Sequence, residues 1–262
     1  MIKHDYHMHT NYSIDSNATM ESMIQSAIKK GFTEIALTDH IDFLHDNNLN
    51  YEDYIPMFYE MRDKYKKQIS ILLGVEMGLG SASKGKDAEL INKFPFDFAI
   101  ASSHDIMGLD LWNKSFFVGR DKKTAYTEYF CEIIDNIKTY DHFCVYGHLD
   151  FIIRYATYSD NSIAYKDYAD YIDIALKLLI EKGKGIEINT SGFRYQLNTT
   201  HPKRELIARY LELGGEIITV GSDAHSPKDV GMKFDYVEHM LKDLGVKRIC
   251  KFKEMQPIFV EL

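Results

Sequence analysis

The sequence predicts an α/β protein, a seven-stranded parallel barrel of the (β/α)7 TIM-like type, with a metal site at the C-terminal ends of its strands. Three observations point there. Short apolar strands alternate with helix-period segments along the whole chain, the pattern of a parallel sheet with crossover helices. A chain of 262 residues is long enough for one barrel-sized core, two small domains being the alternative. Histidines and acids recur where strands end, the face on which parallel barrels assemble their sites. No repeat, low-complexity segment or linker interrupts the alternation, so residues 1–262 read as a single domain.

The first strand spans about 3–9 and contains Asp5-Tyr6-His7-Met8-His9. Strand residues alternate between faces, so His7 and His9 point the same way. A helix follows at about 19–30, with Thr19 as N-cap, Met20, Met23, Ile24, Ala27 and Ile28 as its apolar stripe, and Gly31 as its stop. The second strand, Glu34 to Thr38, delivers Asp39 and His40. A helix over about 51–67 leads to the third strand, Ile69 to Val75, which ends in Glu76. A short helix near 86–93 precedes the fourth strand, Phe96 to Ser102, ending in Ser103-His104. An irregular stretch covers about 105–120 and a helix about 121–139. The fifth strand, Phe143 to Tyr146, ends in Gly147-His148. A helix over about 163–182 leads to the sixth strand, Gly185 to Ile188. Pro202 suits the first position of a helix over about 202–213, stopped by Gly214. The seventh strand, Glu216 to Val220, ends in Ser222-Asp223-Ala224-His225, and Ser226-Pro227 opens a last helix. The tail, 247–262, holds one more strand or a hairpin.

Composition narrows the function classes. There is no basic segment followed by an apolar run at the N-terminus and no apolar stretch of membrane-spanning length, so no membrane partner is expected. Cys131, Cys144 and Cys250 are odd in number and far apart, which fits reduced thiols in a cytoplasmic protein. A net charge of −8 argues against long nucleic acid as partner, because phosphate backbones want a basic surface. A small phosphate ester remains open, since a few local cations suffice. Oligomeric state leaves no mark in the sequence.

An isolated pair of histidines is more often satisfied by ordinary hydrogen bonds than by a metal. The strand ends change that balance. His7 and His9, His40, Glu76, His104, His148, Asp223 and His225 all stand there, and Asp15 follows the first strand. Eight or nine nitrogen and oxygen ligands exceed one tetrahedral ion, so two or three clustered divalent ions are expected. Paired ions can share a hydroxide and clamp both oxygens of a phosphoryl displacement. A carboxylate offers two oxygens, which makes Glu76 the candidate bridge. Among the other histidines, His4 is expected to be exposed, His142 and His201 at the surface, His239 solvated, and His45 in a loop where it could touch substrate. Arg154 and Arg194 fall on the same side as the ligands. Guanidinium groups match phosphate bidentately, the competing reading being surface salt bridges. Arg120 and Lys114 are weaker candidates.

These residues resemble the polymerase and histidinol phosphatase (PHP) family, over nearly the whole chain. The family's motifs stand here as Asp5-Tyr6-His7-Met8-His9, Leu37-Thr38-Asp39-His40, His104 with Gly147-His148, and Ser222-Asp223-Ala224-His225. Gly147-His148-Leu149-Asp150 with Arg154-Tyr155, and Glu187-Ile188-Asn189-Thr190-Ser191-Gly192 with Arg194, resemble the histidinol-phosphate phosphatase branch. The resemblance implies a distorted seven-stranded barrel and a three-ion site. His7, His9, Glu76 and Asp223 would hold one ion, Glu76, His104 and His148 the second, and Asp15, His40 and His225 the third. Zinc, manganese and iron all suit these ligands.

The implied reaction is hydrolysis of L-histidinol phosphate, a step of histidine biosynthesis, by a metal-bridged hydroxide attacking phosphorus. Arg154 and Arg194 would neutralise the transferring oxygens, and Asp223 or His225 could protonate the leaving group. Trp112, Phe116 and Phe117 could flank the imidazole, and Asp42 or Asp160 could meet the ammonium. The rivals are a PHP phosphoesterase of nucleotides or nucleic-acid ends and a non-catalytic metal-binding PHP domain. An amidohydrolase barrel would want eight strands and a bridging lysine.

Overall fold

The computed structural model describes residues 1–43 and 49–262. The chain begins with β1 (His4–Asp5), α1 (Met20–Lys29) and β2 (Glu34–Leu37). Thr19, in extended backbone, accepts the Ser22 amide and starts α1, whose stripe of Met20, Met23, Ile24 and Ala27 is buried. Gly31 ends it at φ +78°, where a side chain would be strained. Beyond Thr38 and Asp39 the second strand resumes as β3 (His40–Asp42), and α2 (Tyr51–Tyr65) follows. β4 (Ser70–Gly78) is nine residues long. It pairs with β2 along its first half and with β3 along its second, in a register that sets His40 beside Glu76.

After α3 (Lys86–Lys93) and β5 (Phe98–Ser102), the stretch expected to be irregular contains a small hairpin, β6 (Asp105–Ile106) with β7 (Leu109–Asp110). Then come α4 (Lys122–Thr139), β8 (Val145–Tyr146), the one-turn α5 (Ile152–Tyr155), α6 (Ala169–Glu181) and β9 (Gly185–Asn189). The one-turn α7 (Ser191–Arg194), α8 (Arg204–Glu212), β10 (Ile218–Gly221) and α9 (Phe234–Asp243) complete the alternation. β11 (Arg248–Lys253) and β12 (Gln256–Glu261) form an antiparallel tail hairpin.

The seven barrel positions run β1-β2-β4-β5-β8-β9-β10, all parallel, with β3 extending the second. The barrel closes between its first and last strands: Tyr6 N–H donates to Val220 O at 3.0 Å, Asp223 N–H to His7 O at 2.7 Å, and His9 N–H to Ala224 O at 2.9 Å. This closure brings residues more than two hundred positions apart into contact. The fold is the expected distorted (β/α)7 barrel, the distortion lying in the broken second strand and in two strands only two residues long. Tyr6, Phe98, Ile100 and Val145 form a separate apolar cluster onto which Cys250 and Phe252 of β11 pack, so the tail covers the end of the barrel where the strands begin.

Several expected boundaries move. Asp160 and Asn161 cap a turn through the Ser162 amide and the Ala156 carbonyl, and the helix expected from 163 starts at Ala169. Asp150 accepts the Lys203 amide, so α8 begins at Arg204 and Pro202 stands outside it. Pro227 starts a separate 3-10 turn, Pro227–Asp229, ahead of α9. Two histidines expected at the surface are buried. His4 packs edge-on to Tyr6, and His201 sits 2.6 Å from Asp150. His142 lies 3.4 Å from Asp87, His239 is exposed, and His45 lies outside the described residues.

Candidate metal centre

The eight residues singled out at the strand ends, together with Asp15, converge on one spot. His7 Nε2 lies 3.0 Å from both His9 Nε2 and Glu76 Oε2, while Asp223 Oδ1 lies 3.5 Å from His9 Nε2 and 4.0 Å from His7 Nε2. Glu76 turns its other oxygen, Oε1, to His148 Nε2 at 2.8 Å and His104 Nε2 at 3.3 Å. Asp15 Oδ2 lies 2.9 Å from His225 Nε2 and 3.6 Å from His40 Nε2, and His40 Nδ1 faces Glu76 Oε2 at 2.9 Å. Donors bound tetrahedrally at about 2.1 Å sit about 3.4 Å apart, and these separations bracket that value.

The outer partners of the imidazoles fix which nitrogen faces inward. Ser13 gives its proton to Asp39 at 2.6 Å, so its oxygen is left to accept from His9 Nδ1 at 3.2 Å. His7 Nδ1 meets Glu187 at 2.5 Å, His104 Nδ1 meets Asp42 at 2.8 Å, and His225 Nδ1 meets the Asp223 carbonyl at 2.9 Å. Each therefore keeps its proton on Nδ1 and aims an Nε2 lone pair at the centre, the arrangement found behind metal-bound histidines. Nε2 of His225 and Nδ1 of His40 are buried and each stands 2.9 Å from a carboxylate oxygen without the geometry of a hydrogen bond, an arrangement that suits donors gathered around a cation. All donors are nitrogen or oxygen, a set that suits divalent zinc, manganese or iron.

The electrostatics are concentrated. Burial opposes charge on Glu76, but the imidazoles of His7, His40 and His104 hold its carboxyl well below the usual range. Two of the donors, His148 at φ +24° and Asp223 at φ +53°, have left-handed backbone, which non-glycine residues adopt at a cost.

The PHP domain family model matches residues 5–191. A probable histidinol-phosphatase of Clostridium acetobutylicum is 33% identical over 248 residues, covering 94% of this chain and 95% of that protein. The chain belongs to the PHP domain family. Another relative, the histidinol-phosphatase of Lactococcus lactis, is 31% identical over 260 residues, 98% of this chain and 96% of that one. The crystal structure of the L. lactis histidinol phosphate phosphatase, complexed with zinc, L-histidinol and phosphate, superposes with a TM-score of 0.91 at 30% identity, covering 98% of each chain. The family match ends before Asp223 and His225, which barrel closure brings to the cluster.

In this PHP chain the two arginines are not surface salt bridges. Arg154 Nη2 donates to Asp223 Oδ2 at 3.3 Å and also reaches Ser191 Oγ. Its guanidinium lies between Phe151, 4.3 Å from the ring centroid, and Tyr195, at 4.2 Å. Arg194 Nη2 donates to the Asp223 carbonyl at 2.7 Å. Arg120 is engaged elsewhere, with Glu128 at 2.6 Å and the Phe116 carbonyl, and Lys114 is exposed.

Other expected substrate contacts fall differently. Asp42, expected to meet an ammonium, gives Oδ1 to His104 and so braces an imidazole. Asp160 is exposed and paired with Lys122 at 3.0 Å. Trp112 is 74% exposed, and Phe117 is buried against Phe116 and Tyr158. Among the described residues, no ring contact joins either to the histidine cluster. The aromatics beside the cluster are Phe151, stacked 4.2 Å from His148, and Tyr195. Sequence reading missed both. The available signal was spacing: Phe151 lies three residues after His148 and three before Arg154, and Tyr195 adjoins Arg194.

Proposed function

We propose that this chain is a metal-dependent phosphomonoesterase that hydrolyses L-histidinol phosphate to L-histidinol and phosphate. The full-length likeness to the L. lactis enzyme, whose crystal structure contains zinc, L-histidinol and phosphate, carries this reading. In it, His7, His9, Glu76 and Asp223 hold one divalent ion, Glu76, His104 and His148 a second, and Asp15, His40 and His225 a third. Bound there, the ions supply Lewis acidity and an activated water for in-line attack on phosphorus.

The side chains account for the rest. Glu76 joins two donor sets because its oxygens face different imidazoles. Arg154, buried and paired with Asp223, presents a rigid cation to the phosphoryl oxygens, and Arg194 adds a second. Burial pushes the Asp223 carboxyl up, but His9, His7, His225 and Arg154 outweigh it and keep it ionised. Asp223 therefore serves as ligand and arginine anchor, which leaves His225 or a water to protonate the leaving alkoxide. Phe151 is taken up by His148 and Arg154, whereas Tyr195, 45% exposed, offers flat apolar surface for an imidazole ring.

A small ester fits the net charge of −8 better than a nucleic acid does. Free thiols at Cys131, Cys144 and Cys250 accord with a cytoplasmic enzyme. Among the described residues, no helix is long and apolar enough to cross a membrane. The test is phosphate release from L-histidinol phosphate and from generic phosphate esters, with added zinc or manganese. A kcat/KM for the histidinol ester at least ten-fold above the generic esters is expected. Equal values would overturn the substrate while leaving a phosphatase standing.

A further inference from the structure

Glu187 is a charged side chain at the barrel centre that no step above uses. It lies on β9 and is 1% exposed. A buried carboxylate is costly unless its lone pairs are taken. Those of Glu187 are taken by groups belonging to the metal centre. Oε1 sits 2.5 Å from His7 Nδ1, while Oε2 accepts the His148 backbone N–H at 3.0 Å and the Asn189 amide at 3.2 Å.

We propose that Glu187 is a positioning residue that sets His7 and His148, donors to two different ions, at their working separation. The proposal rests on the metal assignment made above. Asp42 holds one donor, His104, while the neutral Ser13 reaches two, the His9 ring and the His40 backbone N–H at 3.1 Å. Glu187 reaches two with a charged group, and it reaches one of them through the backbone. That backbone is His148 at φ +24°, a conformation that must be held by its surroundings. The Glu187 bond to its amide does so.

The neighbouring sequence makes room for this carboxylate. A Cβ at Gly221 would collide with Glu187 Oε1 and with His7 Cβ. The same brace extends toward the arginine. Asn189, held by Glu187, accepts both the amide and the hydroxyl of Ser191 through Oδ1, at 2.9 and 2.5 Å, and Ser191 Oγ receives Arg154 Nη2. One buried acid thus ties His7, the turn at His148 and the seat of Arg154 into a single hydrogen-bonded unit.

The chemistry predicts what a near-isostere does. In Glu187→Gln the amide keeps one acceptor for His7, but its NH2 then faces the His148 N–H, donor against donor. The experiment titrates wild type, Glu187→Gln and Glu187→Asp with zinc against a competing chelator, and records kcat, KM and the thermal midpoint of each metal-free protein. Second-sphere loss typically weakens metal binding roughly 10- to 100-fold. We expect that loss in Glu187→Gln for the two ions that share Glu76, with the third ion retained, kcat reduced and KM within about three-fold of wild type. Glu187→Asp keeps the charge but is one methylene short, so it shifts in the same direction. It carries the comparison if Glu187→Gln does not fold. Unchanged zinc affinity in the folded variants overturns the role. So does a fall in thermal midpoint with affinity intact, which marks Glu187 as packing only. Wild type carrying fewer than two ions per chain overturns the metal assignment and this role together.

Discussion

Arg154 Nη2 lies 3.3 Å from Asp223 Oδ2, which puts a guanidinium against a residue that also faces the metal centre. The arginine side chain is 5% exposed, and burial alone would lower its pKa. Asp223, with Tyr155 and Tyr195, raises it instead. A buried, permanently charged fork beside the cluster of histidines and acids is suited to anion binding. Arg154→Ala should lower kcat/KM by at least about 100-fold, or about 3 kcal/mol, with metal content unchanged. Steady-state kinetics paired with elemental analysis checks this, and an unaltered kcat/KM would return Arg154 to a supporting role.

Glu76 faces His7 and His40 with one oxygen, His148 and His104 with the other. Glu76→Gln should therefore lose at least two ions and nearly all turnover, while circular dichroism still reports a folded barrel. The wild type should likewise lose activity to a strong chelator and regain it on adding zinc or manganese. Activity that survives complete metal removal would contradict the assignment.

Asp15 is the outermost of the proposed donors, its side chain 51% exposed and 2.9 Å from His225 Nε2. Asp15→Asn should cost one ion and leave two, with kcat/KM reduced about 10- to 100-fold. Retention of three ions in the purified variant would remove Asp15 from the ligand set.

His4, at the opposite end of the barrel, tests stability and not chemistry. Burial, with Lys251 adding to it, lowers its pKa to about 4. Its Nε2 is buried without a partner. The folded protein thus holds His4 neutral where an unfolded chain, with a histidine pKa of about 6.5, would take a proton. The associated stability is present in full above about pH 6.5 and drains away as pH falls toward 4, by up to about 3 kcal/mol. His4→Phe should show less loss across that window. Parallel stability–pH curves for the two proteins, measured by denaturant unfolding, would show that the burial penalty is not felt.

The order of strands and helices was legible because apolar periodicity is local: the α1 stripe and the β4 run each follow from neighbours a few residues apart. The donors were legible for a related reason, since a parallel barrel brings every strand's C-terminus to one face, and residue type plus strand end was enough to pick His7, His9, Glu76 and His148. Helix starts were harder. Asp150, fifty-three residues away from Lys203, helps decide where α8 begins, and no local pattern contains that bond.

From the sequence alone came the barrel, the histidines and acids that cluster in it and the side of the molecule on which they lie. Tertiary structure decided which nitrogen of each imidazole points inward, because that depends on a partner such as Glu187 for His7 or Asp42 for His104, distant in sequence. It also decided that His201 is buried, that Asp42 braces a histidine, and that Phe151 and Tyr195 enclose Arg154. A side chain's type states what it can do, but hydrogen-bond partners across the barrel determine which of its atoms remains free to do it.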